Sequence, residues 1–271
     1  METVVFTIAG SDPSGGAGIQ QDIRVFTCLG LFACAAVTAL TVQNTKGVKS
    51  VYPVEAKVVG EQVQGVLEDI SVSAIKIGML ANRENVAKLA ASLNDTTKIW
   101  VVADPVMRSS TGSVLLEEAA WRLYQEELLP FIDILTPNIY EARAITSLDI
   151  QSVSDMEDAA RRIYLIMEGK RRSEKDFGVY LKGGHLKGTD QGIDVFCSKN
   201  GIKRLYGKRI QNIHTHGTGC TLSSAICGYL AKGEPVDRAI MLSKEFVTKA
   251  IEAGFPLGKG IGPVDPLIFL K

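Results

Sequence analysis

TVVFTIAGSDPSGGAGIQQD, residues 3–22, contains the change of period that decides the fold class. Residues 3–9 are branched and almost continuously apolar, as a strand buried on both faces of a parallel sheet reads. Gly10 to Gly18 supply a flexible turn, and residues 17–29 then carry helical spacing. Strand, glycine-rich turn and helix in that order open a wound α/β unit. The alternation continues outward from there. Strand-like runs lie at 32–40, 74–77, 99–103, 133–135 and 178–181. Helical patterns lie at 55–68, 83–93, 117–128, 156–167, 220–231 and 236–253. Runs at 192–197 and 201–206 flank Ser198-Lys199-Asn200 and predict an antiparallel hairpin at a sheet edge. No internal repeat or Pro/Gly-rich linker divides the pattern, so residues 1–271 are read as one domain.

Composition excludes several classes of function. The 271 residues are 46% hydrophobic and 22% charged, with formal net charge zero, so no positive excess points to nucleic acid. The densest basic cluster, Lys170-Arg171-Arg172 with Lys175, is interrupted by Glu174 and Asp176 and reads as a solvated surface loop. No apolar run approaches the ~20 residues that cross a bilayer. The start METVVFTIAGSD lacks a basic leader and reads as a strand. Cys28, Cys34, Cys197, Cys220 and Cys227 form no CxxC pair, which suits a reducing cytoplasm.

In such a sheet, ligands bind beyond the carboxyl ends of the strands, so the loops there are where chemistry is expected. The Gly10–Gly18 loop is no Walker A motif, because no Lys-Ser/Thr follows its glycines. It is also off-spacing for a dinucleotide fingerprint. It reads as a substrate cradle with Asp22 in its helix, or as a plain turn. Gln43 and Asn44 end the second strand, where they can read a polar heterocycle edge or simply turn the chain. Met79 can pack flat on an aromatic ring or belong to the core.

Asp104 ends one strand, and Asn138 and Glu141 follow the next. Three hard-oxygen side chains in one crevice suit Mg²⁺, with helix capping as the alternative for Asp104 and Asn138. Lys182, followed by Gly183, Gly184 and His185, can meet phosphate. Gly217-Thr218-Gly219-Cys220 opens a helix, whose free N–H groups and dipole favour an anion. His214 and His216 form an H-x-H pair without a third ligand at zinc spacing.

GSDPSGGAGIQQD, TALTVQNT, KIGM, DPVM, TPNIYEA, LKGGH and HGTGCTLSSA occur in that order, from the first strand to about residue 255. Together they closely resemble the hydroxymethylpyrimidine/phosphomethylpyrimidine kinases, the thiamine-biosynthesis branch of the ribokinase-like superfamily. The resemblance implies a ribokinase-like three-layer α/β/α sandwich with a central, mostly parallel sheet and an antiparallel edge hairpin. It implies ATP- and Mg²⁺-dependent phosphorylation of 4-amino-5-hydroxymethyl-2-methylpyrimidine, then of its monophosphate, by a cytoplasmic homodimer.

Carried onto this chain, the pyrimidine pocket comprises Gly10, Asp22, Val42, Gln43 and Met79. Asp104 and Glu141 organise Mg²⁺, while Lys182, Gly184 and Thr218 serve ATP. Gly217, Thr218, Gly219 and Cys220 surround the migrating phosphoryl. Related sugar kinases place an Asp base where Cys220 stands. A thiol at a helix N-terminus can be acidified into the range ~3.5–7.5, so Cys220 is read either as a thiolate base or as a small residue that fits. Pyridoxal kinase, and a regulator that binds the pyrimidine without phosphorylating it, are the rival functions.

The charged stretch 168–176 looks longer than the resemblance requires, and the tail GKGIGPVDPL has its own spelling.

Overall fold

A computed structural model describes residues 2–94, 96–108, 112, 115–116, 118–184, 186, 192–207 and 210–270. His185 and the expected helix start at Glu117 lie outside the described residues. The strands are β1 (Val4–Ser11), β2 (Phe32–Asn44), β3 (Gly47–Pro53), β4 (Ala74–Ile77), β5 (Trp100–Ala103), β6 (Ile134–Leu135), β7 (Gly178–Leu181), β8 (Asp194–Ser198) and β9 (Gly201–Leu205). They form one sheet of nine strands in the order β3-β2-β1-β4-β5-β6-β7-β8-β9. β2, β1, β4, β5, β6 and β7 run parallel. β3 closes one edge antiparallel, and β8 with β9 closes the other.

Strand alternation builds the layers. Phe6, Ile8, Ile75, Ile77 and Val101 face one core with α2 (Ala56–Asp69), α3 (Arg83–Ser92), α4 (Glu118–Leu123), α5 (Ile139–Thr146) and α6 (Val153–Glu168). Val5, Ala74, Val102, Ile134 and Tyr180 face a second core with α1 (Gly18–Cys28), α7 (Thr218–Ala231) and α8 (Val236–Glu252). Phe6, Ile8 and Ile75 are fully buried, each contributing about 1.5–3 kcal/mol. This is the expected three-layer sandwich, with the expected β8–β9 hairpin.

Four details differ from the sequence reading. β2 continues through Thr41-Val42-Gln43 to Asn44 and turns back as β3, a second antiparallel edge. An edge hairpin is not buried on both faces, so it lacks the continuous apolar run that marks the central strands. The expected helix 117–128 stops being α-helical at Leu123, passes through a π-helical turn at Tyr124–Leu128 and ends in a 3₁₀ turn around Pro130. α5 is an added helix, and Asn138 and Glu141 form its capping box. The basic cluster is not simply solvated. Arg171 and Lys175 pair with buried Asp133 at 3.4 and 2.6 Å, and the Arg171 guanidinium lies 4.2 Å over Phe177. That contact ties the charged loop to the start of β6.

Candidate active site

The ends of β1 and β2, Lys76 of β4, and the loops that follow β4, β5, β6 and β7 meet in one cleft of about 1610 Å³ that also takes in the start of α7. Gly10, Gln43, Met79, Asp104, Glu141, Lys182, Gly184, Gly217, Thr218, Gly219 and Cys220 all line it. The volume exceeds the ~300–1,000 Å³ of a pocket for one small ligand. Asp22 and Val42 do not line the cleft. Asp22 is fully buried and accepts hydrogen bonds from Thr7 Oγ1 at 2.6 Å, Lys76 Nζ at 2.8 Å and Ser224 Oγ at 2.8 Å. It anchors the layer beneath the site instead of meeting a ligand. Val42 is exposed, and the pairing of β2 with β3 shifts register between Val42 and Gln43.

One end of the cleft is flat and polar-edged. A Cβ on Gly10 would stand 3.2 Å from Met79 Sδ, so backbone and thioether sit side by side. Gln43 lies between the Thr41 hydroxyl at 3.3 Å and His216 Nε2 at 3.2 Å. His216 Nε2 also meets Asp12 Oδ2 at 2.9 Å. Asp12 Oδ1 accepts from Ser14 N and Oγ, and Oδ2 from Ala17 N, so the glycine loop folds around this carboxylate. Burial alone would raise the Asp12 pKa, but hydrogen bonds from His216 and Ser14 hold it below the usual carboxylate value. His214 is apart, its Nδ1 accepting from Gly262 N at 3.1 Å.

The other end is charged. Lys182 Nζ donates to Asp104 Oδ1 at 2.7 Å. Burial disfavours the Lys182 ammonium, yet Asp104 and Glu141 more than offset this and raise its pKa. Glu141 Oε2 accepts from Asn138 N at 2.7 Å and Asn138 Oδ1 from Glu141 N at 3.0 Å, so the capping alternative for Asn138 is realised. α7 approaches closely because Gly219 has no side chain: a Cβ there would stand 3.0 Å from Asp104 Oδ2 and 3.4 Å from Lys182 Nζ. Gly217 caps α7 in the left-handed conformation at φ 83°, with no side-chain hydrogen bond to the helix start. The first N–H groups of α7 therefore remain free of side-chain caps. The Thr218 hydroxyl turns back to Thr215 O at 2.7 Å and so serves the loop.

Burial pushes Glu141 up to about 7, with Asp104 adding to this and Lys182 opposing it. A carboxyl raised from 4.5 favours the folded state below the unfolded value, and this advantage is lost as pH rises toward 7. Glu141→Gln, which cannot ionise, is therefore expected to stabilise the ligand-free protein increasingly from pH 4.5 to pH 7, levelling above. The gain should reach ~3 kcal/mol at most. Thermal unfolding of both proteins across that range checks it; an equal Tm difference at all pH values would refute it.

Of the two readings of Cys220, the thiolate base and the small residue that fits, its surroundings favour the second. Burial pushes the thiol up to about 11; Asp22 and Asp104 add to this, while Lys76 and the Gly18 N–H only partly oppose it. Removal from water outweighs the helix dipole. Lys76, which sequence reasoning passed over, forms part of the cleft floor. It is fully buried, and burial would discharge it, but Asp22 raises its pKa above an ordinary lysine. The signal was present: one lysine inside Ala74-Ile75-Lys76-Ile77, a strand with no exposed position. Among the described residues no group of three or more His, Cys, Asp or Glu converges as a metal cage, and no helix is long and apolar enough to cross a membrane.

A sequence profile described as phosphomethylpyrimidine kinase matches residues 12–265. The chain belongs to the phosphomethylpyrimidine kinase family. The hydroxymethylpyrimidine/phosphomethylpyrimidine kinase of Rhizobium meliloti strain 1021 is 41% identical over 266 residues, 97% of each chain. The thiamine biosynthesis bifunctional protein of Geobacter sulfurreducens is 40% identical over 264 residues, 97% of this chain but 52% of that protein, so the chain spans about half its length. The ADP complex of Bacillus subtilis pyridoxal kinase superposes with a TM-score of 0.88 at 32% identity, covering 98% of each chain. The phosphomethylpyrimidine kinase of Clostridium difficile 630 gives 0.78 at 38% identity, covering 92% of this chain and 100% of that one.

Proposed function

We propose that this kinase transfers the γ-phosphoryl group of ATP to the hydroxymethyl oxygen of 4-amino-5-hydroxymethyl-2-methylpyrimidine, and then phosphorylates the monophosphate, in thiamine biosynthesis. The observation that supports the reading is one cleft lined both by residues that suit a planar ring and by residues that suit an anion. Gly10, Gln43 and Met79 form the first; Lys182, Gly184 and the uncapped α7 start form the second. Side-by-side kinetics with the pyrimidine and pyridoxal test it. The expected result is a higher kcat/KM for the pyrimidine; a preference for pyridoxal would favour the kinase of that vitamin. A binding-only regulator would show tight binding without ADP release.

The pyrimidine hydroxyl oxygen attacks the γ-phosphorus, the bond to the β-phosphate oxygen breaks and ADP leaves, while the hydroxyl proton passes late to an oxygen of the arriving phosphoryl group and then to solvent. Such a transition state is loose, so positioning and charge stabilisation dominate. Gly219 and Cys220 N–H groups would hold the equatorial oxygens, and Lys182 would neutralise charge from the opposite side.

Asp104 and Glu141 fit Mg²⁺ with ATP. They are two buried hard-oxygen groups facing one cleft. Mg²⁺ needs only one or two carboxylates, completing its shell with water and phosphate oxygens. When bound, it supplies charge neutralisation at the phosphates.

Cys220, protonated at neutral pH, acts as a small neutral residue under the migrating group. Cys220→Ser is therefore expected to keep turnover within about tenfold of the parent, with no displaced limb in its pH–rate profile. Loss of an acidic limb, the rise in rate with pH that a thiolate base produces, would restore the thiolate base. Residues 1–271 are proposed as one kinase domain. Leu40, Val42 and Tyr52, exposed together on the β2–β3 face, are the surface we assign to a second copy in a homodimer. Sedimentation tests the oligomeric state directly.

A further inference from the structure

Hydrogen-bond accounting around Gln43 fixes which end of its amide points where. Amide oxygen and nitrogen are told apart by their partners. Asp12 is ionised, since its carboxyl is held below the usual value, so it can only accept. At 2.9 Å from Asp12 Oδ2, His216 Nε2 must carry the proton. That holds for the neutral and the charged ring alike. His216 Nε2 therefore cannot accept from an amide NH₂, so the Gln43 amide takes the turned-over orientation, its oxygen 3.2 Å from Nε2 and sharing the Nε2 hydrogen with Asp12. The other side agrees. The Thr41 hydroxyl has one hydrogen, given to Ser11 O at 2.9 Å. It can only accept from Gln43, 3.3 Å away, so the amide nitrogen belongs there. Both partners demand the same orientation.

We infer that His216, held by Asp12, is the positioning residue that locks the Gln43 amide and thereby sets which ring edge the site accepts. This rests on the proposed function, in which Gln43 meets the substrate ring. With the oxygen against His216 and one N–H on Thr41, Gln43 offers the cleft its second N–H and the oxygen's remaining lone pair. A ring nitrogen beside an exocyclic amine supplies the matching acceptor and donor. A formyl beside a phenolic oxygen, the corresponding edge of pyridoxal, offers acceptors where a donor is needed. A freely turning amide would serve both; a locked one separates them. His216 is well placed for this, since its side chain is 12% exposed and its main chain is pinned by Gly262 O at 3.1 Å.

The test compares kcat and KM for the pyrimidine, pyridoxal and ATP in His216→Phe, His216→Gln, Gln43→Ala and the His216→Phe/Gln43→Ala pair. His216→Phe is expected to raise pyrimidine KM about tenfold, with kcat and ATP KM within about twofold. The pyrimidine-to-pyridoxal ratio of kcat/KM should fall by about tenfold, mainly through the pyrimidine KM. His216→Gln, whose amide nitrogen reaches the place of Nε2, should restore pyrimidine KM to within about threefold. With Gln43→Ala already present, His216→Phe should add nothing, because its effect runs through Gln43. Full additivity in the pair, or an unchanged pyrimidine KM in His216→Phe, would overturn the inference. If His216→Phe fails to fold by circular dichroism, His216→Asn, polar but too short, replaces it under the same criteria. Should the parent enzyme turn over pyridoxal but not the pyrimidine, the proposed function fails. The same cycle is then read by calorimetric pyrimidine binding, which judges the Gln43 lock separately.

Discussion

Lys182→Met is expected to lower kcat about 10²- to 10³-fold while pyrimidine KM stays within about threefold. The reason lies in how the ammonium is held. Lys182 enters the cleft from the end of β7, aligned by the parallel bridge between Asn138 and Lys182. Asp104 fixes its nitrogen at 2.7 Å, and the missing side chain at Gly219 lets α7 come close on the other side. The cation is half-buried and held by Asp104 before substrate arrives, so little reorganisation is needed when charge develops on the phosphoryl oxygens. Removing it also takes away the main group that holds down the Glu141 pKa. The ATP KM of the variant should therefore worsen more at low pH than that of the parent. Steady-state kinetics over pH 6 to 9 check both effects, taken as a range of about three pH units around the Glu141 value. A variant with parental kcat and altered pyrimidine KM would mean that the two ends of the cleft are reversed.

Lys76→Met should be the most destabilising single change. It leaves the Asp22 carboxylate fully buried with two hydroxyl donors, Thr7 and Ser224, and no cation. Breaking one side of such a pair costs about 3–5 kcal/mol. For a chain near this size that corresponds to a fall in Tm on the order of 10 °C. Replacing both charges, as Lys76→Met with Asp22→Leu, should recover most of the loss, because neither ion is then stranded. Lys76 is also the chief group lowering the Cys220 pKa. Alkylation of that thiol should thus slow in Lys76→Met protein that remains folded. Scanning calorimetry decides the first point. An unchanged Tm in Lys76→Met would show that the pair carries no net structural weight.

The parallel core was legible because its strands are short, apolar on both faces and separated by helical periods. β3 was not, since an edge strand containing Gly47, Lys49 and Pro53 carries turn and edge signals instead of a buried run. Of the cleft lining, Gly10, Gln43, Met79, Asp104, Glu141, Lys182 and the α7 start were legible because they lie at strand ends or helix starts. Asp22 and Val42 were misplaced because sequence proximity to the loop does not show on which side of a helix or strand a side chain falls. Lys76 and the Asp12–His216 pair depend on partners far along the chain, and long-range pairing leaves little local trace. Asp12 and His216 are 204 positions apart. Cys220 was read with the helix dipole in view and without the burial that dominates it.

The central claim is that one cleft both reads the pyrimidine and phosphorylates it. The most direct measurement is product mass after incubation with ATP, Mg²⁺ and 4-amino-5-hydroxymethyl-2-methylpyrimidine, followed by the same with its monophosphate. The expected result is the addition of one phosphoryl group in each incubation, with stoichiometric ADP. Unchanged masses for both substrates, under conditions where pyridoxal is phosphorylated, would contradict it.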